Sequence, residues 1–581
     1  GYIAYDFRNT GRSSFNQIGV GLEFLSPTFD ARINGYFPVG ATRNQVATST
    51  AGGFAFVGNS LVLSGLRQFE TAATVVDAEV GREIVPIGSN GSLRAYAGTY
   101  LISAQGSPTV VGVKGRVEAL PSDFFNVGVS VQNDGLFDTR VVFTVGASFP
   151  GTSPQGGNVP PSSALNRIAE NVGRQSAIIV ADPTVSGQTE VTTELARNPN
   201  GVPYRFLHVR QGAGGNGTNE NPFTSVQAAL ANDASGDIIY VRGSGTESFD
   251  PSLDAGVSLL FSRVEQRLPL FGGGTVVLPG SNNAADVYTI NATGSLDVGS
   301  NSVVSGLILT PGANIPGITA TGASNVDLNR NTITTTGARG INLQNATGTV
   351  TIANNTVNST GVGVDAISVS NNSGNVNLNV TSNTATAGNN GINVVLSGTA
   401  TGGGTISNNT ANNSVSAGIF LQVDTPDASA ERVFTIANNT VTNNGTGPSF
   451  APGIQVEALN NARLRVTIDS NVVTGNADGG VGLFTSGAGT ATLFSRVRLN
   501  TITGNGGLIG DLNTNIVVGG NNTRLCIQPN NNTIGTFNRQ NNAGGAAVIQ
   551  VEGPLPGTNT ITSLPAPIGT VNTVAAGTCG F

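Results

Sequence analysis

Between about Asn325 and Thr533 the chain alternates apolar and polar residues in short runs, each followed by a glycine-bearing turn. Runs such as 350–352 and 392–395 leave no room for helices of three or four turns, so they predict strands. One asparagine, usually followed by threonine and a β-branched or small residue, returns every 24 to 32 residues. This period is typical of stacked repeats, and short strands at this period predict a solenoid.

A parallel β-helix is the solenoid that fits the pattern. Each strand would lie about 4.8 Å from the equivalent strand of the previous coil, with alternate side chains in a shared core. The recurring asparagine would then stack at one corner and bond to its neighbour and to turn backbone. We predict this ladder rather than glycosylation, because the Asn-x-Thr triplets follow the coil period. The predicted ladder residues are Asn331, Asn355, Asn383, Asn409, Asn439, Asn471, Asn500 and Asn532.

Residues 1–150 show strict alternation in longer strands separated by turn signals, which predicts an antiparallel meander. One face is apolar, and the other carries glycines and charges, among them Asp30, Arg32, Lys114, Arg116 and Glu118. In a soluble sandwich the charged face would meet water, whereas in an outer-membrane barrel it would line the lumen. Pairs of opposite charge on that face, and aromatic residues near strand ends, favour the barrel.

Three runs, 1–7, 18–24 and 31–38, resemble successive barrel strands of the inverse autotransporters, the intimin and invasin group. The run 141–149 ends on phenylalanine, as membrane-barrel strands commonly do. The resemblance implies an outer-membrane barrel that delivers a C-terminal passenger to the cell surface. About nine strands of ordinary length fit into this region, fewer than in the family's barrel. The barrel is therefore expected to be smaller or to have further strands upstream of Gly1.

Residues 151–204 are predicted to link the two halves. The first part is rich in Pro, Gly and Ser, and Leu165, Ile168 and Val172 then follow at helical spacing. In the resembling family such a stretch threads the barrel, where Arg167, Glu170 and Arg174 would meet the lumen charges. An ordinary surface linker helix is the alternative.

Residues 205–525 are assigned to the β-helix. The stretch 214–242 resembles the first coil of pectate-lyase-like β-helices, which implies a right-handed helix. A cap helix is predicted near residues 222–232, covering the open end of the first coil. Residues 526–581 would form the last coils and a cap. In an extracellular passenger the only cysteines, Cys526 and Cys579, would form a disulfide pinning 559–581 over the last coil.

Composition narrows the list of partners. Charged residues are 10% of the chain, the net charge is −7, and Lys114 is the only lysine, so nucleic acid is excluded as a partner. Two cysteines and one distant histidine, His208, make a poor zinc site, and no cofactor is expected. Nor does any run of 18 apolar residues predict a transmembrane helix. A chain that begins at Gly1 is expected to have lost a targeting segment.

The repeats offer few groups for catalysis. Their carboxylates are sparse, and Asp424 with Asp427, on either side of Pro426, is the nearest approach to a pair. We interpret that pair as a solvated loop. The repeats also contain no Lys or His that would remove a proton in a lyase. These observations predict no catalysis.

The sequence therefore predicts an all-β protein of an outer membrane, in which an antiparallel barrel joins a right-handed parallel β-helix. Its predicted role is that of an adhesin or surface-structural protein without enzymatic activity. The expected partners are outer-membrane lipid, glycans or neighbouring cell surfaces, and further copies of itself. Two alternatives stay open: a barrel-tethered polysaccharide-active enzyme, and a self-assembling filament or scaffold subunit.

Overall fold

The computed structural model describes residues 1–26, 29–49, 53–87, 91–122, 125–147, 172–426, 430–447, 451–487, 489–507, 510–517, 523–543, 546–553 and 559–580. Over these residues the chain is almost entirely β, which confirms the predicted fold class. Within the same residues, no helix is long and apolar enough to cross a membrane.

The chain divides into two compact units. Unit 1 comprises Gly1–Gly53 and Leu63–Glu194, and unit 2 comprises Phe54–Val62 and Leu195–Phe581. A short segment of the N-terminal region thus belongs to unit 2, which the predicted boundary at residue 150 did not foresee. The strands before the β-helix are β1 (Tyr2–Asn9), β2 (Ser14–Leu25), β3 (Asp30–Val39), β4 (Arg43–Ser49), β5 (Phe54–Val57), β6 (Ser60–Ala72), β7 (Thr74–Ile87), β8 (Gly91–Ser103), β9 (Val110–Ser122), β10 (Phe125–Asp134), β11 (Asp138–Ala147), β12 (Val180–Ala181) and β13 (Thr189–Leu195).

Eight of these strands form one antiparallel sheet, in the order β1-β2-β3-β7-β8-β9-β10-β11. The sheet curves as a half-barrel with β1 and β11 at its edges. Its apolar face is exposed: Ile3, Leu22 and Phe143 expose 78%, 68% and 77% of their surface. The opposite, charged face is buried, as Asp30 at 2% and Arg32 at 5% exposure show.

Unit 2 contains β5, the start of β6 and a β-helix, in which one short helix follows the first strand. Its elements are β14 (Arg205–Val209), α1 (Val226–Leu230), β15 (Asp237–Val241), β16 (Gly245–Glu247), β17 (Ser252–Leu253), β18 (Ser258–Phe261), β19 (Arg267–Pro269), β20 (Thr275–Val277), β21 (Tyr288–Ile290), β22 (Leu296–Val298), β23 (Val303–Ser305), β24 (Ile308–Leu309), β25 (Ile318–Thr321), β26 (Asp327–Asn329), β27 (Thr332–Thr336), β28 (Ile341–Gln344), β29 (Gly348–Ala353), β30 (Thr356–Thr360), β31 (Ile367–Asn371), β32 (Asn375–Thr381), β33 (Thr384–Ala387), β34 (Ile392–Ser397), β35 (Thr401–Ser407), β36 (Thr410–Asn412), β37 (Ile419–Thr425), β38 (Glu431–Ala437), β39 (Thr440–Thr442), β40 (Ile454–Asn460), β41 (Arg463–Asp469), β42 (Val472–Thr474), β43 (Val481–Ser486), β44 (Thr492–Arg498), β45 (Thr501–Thr503), β46 (Leu512–Ile516), β47 (Arg524–Asn530), β48 (Thr533–Asn541), β49 (Val548–Glu552), β50 (Thr560–Ser563) and β51 (Val571–Val574).

The β-helix has about 12 turns, each adding a strand to three parallel sheets. The first sheet includes β26, β29, β32, β35, β38, β41, β44, β47 and β49, and the second includes β27, β30, β33, β36, β39, β42 and β45. The third includes β25, β28, β31, β34, β37, β40, β43 and β46. Inward side chains form one continuous apolar core from Leu207 to Val551. The outward positions of each sheet can therefore hold polar side chains.

The cap helix α1 is shorter than the predicted stretch of 222–232. Ser225 caps it by accepting a hydrogen bond from the Ala228 N–H, and Val226 and Ala229 are buried. Phe223 lies before the helix, where it forms a parallel bridge with Val209. The extended backbone at Phe223 is what delays the start of the helix.

Candidate functional site

The predicted ladder asparagines stack at the corner between the first and second sheets. Each donates its side-chain N–H to the amide oxygen of the next, at 2.8–3.0 Å, and also to a backbone carbonyl. All eight are at most 1% exposed. The ladder runs one step further than predicted, to Asn559, where Asn559-Thr560-Ile561 repeats the same sequence phrase. The ladder satisfies buried polar groups at a tight corner, so its role is structural.

A second ladder, which the sequence analysis missed, lies where the chain leaves the second sheet. The Asn444 amide donates to Asn476 at 2.9 Å and the Asn476 amide to Asn505 at 2.8 Å. Asp511 ends the row by accepting both the side-chain and the backbone N–H of Asn505. The signal was available, because these asparagines follow ladder residues of the first row by five positions.

Cys526 and Cys579 are joined by a disulfide. Cys526 belongs to the outward face of the first sheet, in register with Phe494. The chain after β51 therefore turns back along the outside of this sheet instead of covering the last coil. The Cys579 N–H donates to Glu552 at 2.6 Å, and Arg465 donates to the Gly580 carbonyl at 2.8 Å. Phe581, the end of the predicted cap, lies outside the described residues.

The predicted lumen charges of the N-terminal sheet lie in one network. Lys114 bonds to Asp77 at 2.6 Å, and Arg116 pairs with Glu79 and Glu118, each at 2.7 Å. Arg32 pairs with both Glu23 and Glu79, and Tyr96 donates to Asp30 at 3.0 Å. Asp77 and Glu79 were missed, although both follow the alternation of β7.

The segment that contains Arg174 and Gln175 lies on this charged face of unit 1. Arg174 bonds to Asp6 at 2.8 Å, and the Gln175 N–H donates to the Tyr36 hydroxyl at 2.7 Å. Arg167 and Glu170, together with the predicted linker helix, lie outside the described residues.

A different set of side chains lies on the outward face of the third sheet, around Glu457 in β40. Glu457 accepts hydrogen bonds from the side-chain amides of Gln455, at 2.6 Å, and Gln422, at 2.7 Å. Gln455 lies in the same strand, and Gln422 lies directly opposite in β37. Both carboxylate oxygens are thereby held in place on an otherwise flat face. Glu457 itself is half-buried.

Aromatic rings flank this carboxylate on both sides. Phe484 in β43 is in register with Glu457, and Phe420 in β37 is in register with Gln455. The Phe484 ring lies against Gly482, where an added Cβ would meet a ring carbon at 2.3 Å. Phe484 is only 6% exposed, whereas Phe420 is half-buried. The glycine thus allows a bulky ring to form one wall beside Glu457.

A second carboxylate, Asp424, shares this face. Asp424 is in register with Leu459, two positions along from the pair of Gln422 and Glu457. It accepts a hydrogen bond from the Asn460 side chain at 2.5 Å. Strand spacing and rise per residue place the Cα atoms of Asp424 and Glu457 about 8 Å apart. The structure therefore pairs Asp424 with Glu457, while Asp427, its predicted neighbour, lies outside the described residues.

Other buried acids of the β-helix serve the fold. Asp365 is 1% exposed and accepts hydrogen bonds from Asn389 and Asn393 at 2.8 and 2.9 Å, and from Arg339 at 3.2 Å. Burial raises the pKa of Asp327 above its ordinary value. In the described ranges no group of three or more His, Cys, Asp or Glu side chains is placed to hold a metal ion.

His208, the only histidine, is fully buried beside Phe56, whose ring centroid is 4.6 Å away. Among the described residues neither ring nitrogen has a hydrogen-bond partner. Burial, aided by the nearby Arg242 cation, lowers the pKa of His208 to about 3. A neutral histidine in an apolar cluster fits a packing role.

A comparison with known families supports the β-helix fold. A family described as the right handed beta helix region matches residues 399–497, which include both Asp424 and Glu457. The handedness of the β-helix is therefore right-handed, as predicted. No curated protein matches the sequence.

Two kinds of solved structure are similar. The A-module of the mannuronan C-5 epimerase AlgE4 of Azotobacter vinelandii is 14% identical, with a TM-score of 0.28, over 60% of this chain and 93% of its own. A variant catalytic domain of a GH87 alpha-1,3-glucanase in complex with nigerose is 12% identical, with a TM-score of 0.31, over 96% of this chain and 92% of its own.

The prediction of an adhesin or surface-structural protein without catalysis is corrected by these findings, because both solved proteins are enzymes that act on polysaccharides. The physical reason lies in the register. Asp424 and Asp427 are close along the chain, whereas the strand pairing brings Asp424 near Glu457, which lies far from it in the sequence.

Proposed function

We propose that the chain is a polysaccharide-active enzyme, a glycoside hydrolase that works on the outward face of the third sheet. The observation that carries the proposal is the placement of Asp424 and Glu457 on neighbouring strands of one exposed face. The proposed site, termed the carboxylate face, comprises Phe420, Gln422, Asp424, Gln455, Glu457 and Phe484.

The spacing of the two acids fits hydrolysis with inversion. Such enzymes hold two carboxyl groups about 6.5–9.5 Å apart, which leaves room for water between one carboxylate and the sugar. The Cα atoms of the two acids lie about 8 Å apart, and both side chains extend from the same face of the sheet, so their carboxyl groups can reach that separation. Glu457 accepts amide N–H groups at both oxygens, so as a carboxylate it fits the base. Asp424 is then the acid.

The reaction consumes one water molecule. Glu457 takes a proton from water as the water oxygen bonds to the anomeric carbon. The bond from that carbon to the bridging oxygen breaks, and Asp424 donates its proton to that oxygen, which leaves as a sugar hydroxyl. A further proton exchange with solvent restores both groups.

The surroundings of the two acids favour a neutral glycan. In the described strands from β28 to β46, the outward positions of the third sheet carry no Lys, Arg or His. They carry amides instead, such as Asn342, Asn393 and Asn515, which can both donate to and accept from sugar hydroxyls. A lyase acting on a uronate would need a base beside an acidic sugar. Hydrolysis of an uncharged chain suits this face better.

Substitution of the two acids tests the proposal. Glu457→Gln and Asp424→Asn are expected to lower kcat at least 100-fold on the neutral polysaccharide that the native chain cleaves. Release of reducing ends from a panel of neutral glucans and mannans measures the activity, and affinity electrophoresis on the same polymers measures binding. Binding is expected to persist in both variants.

A matched control is Glu265→Gln, which removes an exposed carboxylate in a different part of unit 2. Its activity is expected to stay within twofold of the native value. Native activity in Glu457→Gln, or no cleavage of any polymer that the native chain binds, would overturn the proposal.

We further propose that unit 1 anchors the chain in an outer membrane, which the predicted resemblance to inverse autotransporters implies. The exposed apolar face of its sheet and the buried charge network on the other face support this proposal. The two faces have the polarity of a lipid-facing sheet and a polar lumen, opposite to that of a soluble sandwich. Flotation with lipid vesicles is the test.

A further inference from the structure

The outward face of the first sheet carries a group of arginines far from the carboxylate face. Three successive strands contribute them: β41, β44 and β47. Together with one aromatic ring they form what is termed the arginine surface: Arg463, Arg465, Phe494, Arg496, Arg498 and Arg524. Because these strands pair in parallel register, neighbouring rows lie about 4.8 Å apart.

This surface is locally positive although the chain as a whole carries a net charge of −7. Glu431 lies beside it and pairs with Arg463 at 3.1 Å and Arg465 at 3.0 Å. Asp469 pairs with Arg498 at 2.7 Å, and Glu552 lies at the far edge, bonded to Gln528. Among the described side chains of this face, five guanidinium groups stand against three carboxylates, which is an excess of positive charge.

Glu431 remains ionised within this group. Burial alone would raise the pKa of Glu431, but hydrogen bonds from Arg465 and Arg463 outweigh it and hold the pKa below its ordinary value. The ion pairs leave much of the surface open to solvent, since the side chains of Arg463 and Arg498 are 48% and 44% exposed. The surface thus offers guanidinium groups and carboxylates side by side.

Phe494 orders the guanidinium groups. Three of them lie over or beside its ring, at 5.0 Å for Arg465, 5.3 Å for Arg524 and 5.6 Å for Arg463. Cation–π contacts of this kind hold the cations at fixed positions and reduce the entropy lost on binding a ligand.

The C-terminal segment contacts two of these arginines. Arg465 donates to the carbonyl oxygen of Gly580 at 2.8 Å, and Arg524 donates to that of Thr578 at 3.2 Å. The disulfide to Cys526 keeps this segment, which folds in turns at 575–580, on the face. Two of the arginines thus already donate to neutral oxygen acceptors of the chain itself.

We propose that the arginine surface binds an acidic polysaccharide through its carboxylate groups. This site is separate from the carboxylate face and does not depend on the proposed hydrolysis. Planar guanidinium groups match carboxylates in paired hydrogen bonds. The interspersed Glu431 and Asp469 accept hydrogen bonds from sugar hydroxyls, which a uronate polymer carries between its charges.

The same carboxylates disfavour a denser polyanion. Duplex DNA carries one negative charge per about 1.7 Å of axis, and such a dense row of phosphates would be repelled by Glu431, Asp469 and Glu552. A polymer with one charge per sugar avoids this repulsion. The charge pattern therefore selects an acidic glycan over nucleic acid.

Binding of the full chain to four polymers tests the proposal: polygalacturonate, dextran sulfate, neutral dextran and duplex DNA. The test variant carries Arg463→Gln, Arg498→Gln and Arg524→Gln. We expect the native chain to bind polygalacturonate and the variant to bind it at least tenfold more weakly, with a shallower salt dependence. A second variant with lysine at the same three positions keeps the charge but loses the paired geometry, and is expected to be intermediate.

A control variant removes the same charge from exposed arginines elsewhere in unit 2, by Arg197→Gln, Arg267→Gln and Arg330→Gln. Its affinity is expected to stay within twofold of the native value, and Glu457→Gln is expected to leave binding unchanged. No native binding to polygalacturonate, an equal loss in the control, or equal binding of duplex DNA would overturn the proposal. Tighter binding of dextran sulfate would also overturn it, because the ligand group would then be sulfate.

Discussion

At the scale of single residues, the corners of the β-helix impose a backbone conformation that most side chains avoid. The residue before a ladder asparagine has a positive φ, for example 58° at Asn354, 56° at Asn438 and 54° at Asn531. Asparagine tolerates this left-handed region, whereas an apolar residue is strained there. Leu499 occupies the same position with a φ of 57°, and it is 54% exposed. Because the Leu499 side chain is largely exposed, its burial contributes little free energy to offset the backbone strain.

We therefore predict that Leu499→Asn stabilises unit 2 by about 1 kcal/mol. The change replaces the strained leucine by asparagine, which four of the eight equivalent corners use. Urea unfolding followed by circular dichroism measures the shift in midpoint. Leu564→Asn is the control, since Leu564 is also exposed but is not among the residues with positive φ. An equal gain at both positions would show that lost hydrophobic exposure, and not the backbone, is the cause.

At the scale of elements, the asparagine ladder is the contact that joins successive coils at one corner. The Asn471 side-chain amide donates to the Ile436 carbonyl and to the side-chain oxygen of Asn500. Its own side-chain oxygen accepts from the backbone N–H and from the side-chain amide of Asn439. Truncation to alanine would leave several of these buried groups unpaired, at about 1–3 kcal/mol each. We expect Asn471→Ala to destabilise unit 2 by about 3–5 kcal/mol, because buried unpaired groups are the costly case.

Chemical unfolding of Asn471→Ala measures that cost. Asn358→Ala is the control, because Asn358 lies on the exposed side of β30 and is expected to change stability by less than about 0.5 kcal/mol. A loss at Asn471 no larger than at Asn358 would mean that water replaces the ladder bonds at little cost.

The repeat of the coils could be predicted from the sequence, whereas the register between neighbouring strands could not. The β-helix was predictable because a strand, a corner and a ladder residue return in each coil. The relation between Asp424 and Glu457 was not, because coil length varies from 24 to 32 residues and sequence distance does not give strand register. Arg432 shows the same difficulty: it takes an inward position with 1% exposure and donates to the Ala400 carbonyl, where alternation would place an apolar residue.

At the scale of the whole molecule, the two units distribute apolar side chains in opposite ways. Unit 2 keeps its apolar residues inside a continuous core, as the full burial of Ile352 and Val466 illustrates. Unit 1 exposes them across its sheet, at 63% for Val113 and 69% for Val145, and buries its charges. An exposed apolar surface of this extent marks an interaction surface, and its polarity is that of a membrane strand, which is why we propose a bilayer as its partner.

The last prediction is that the full chain floats with lipid vesicles in a density gradient and aggregates when amphiphile is removed. Val113→Arg places a charge on the proposed lipid-facing side, where it costs about 2–4 kcal/mol near the bilayer centre, and should lower the floating fraction. Val433→Arg is the matched control, because Val433 is 50% exposed on the β-helix and is expected to leave flotation unchanged. A chain that stays dispersed without amphiphile and sediments away from vesicles would contradict the anchor, while leaving the carboxylate face and the arginine surface untouched.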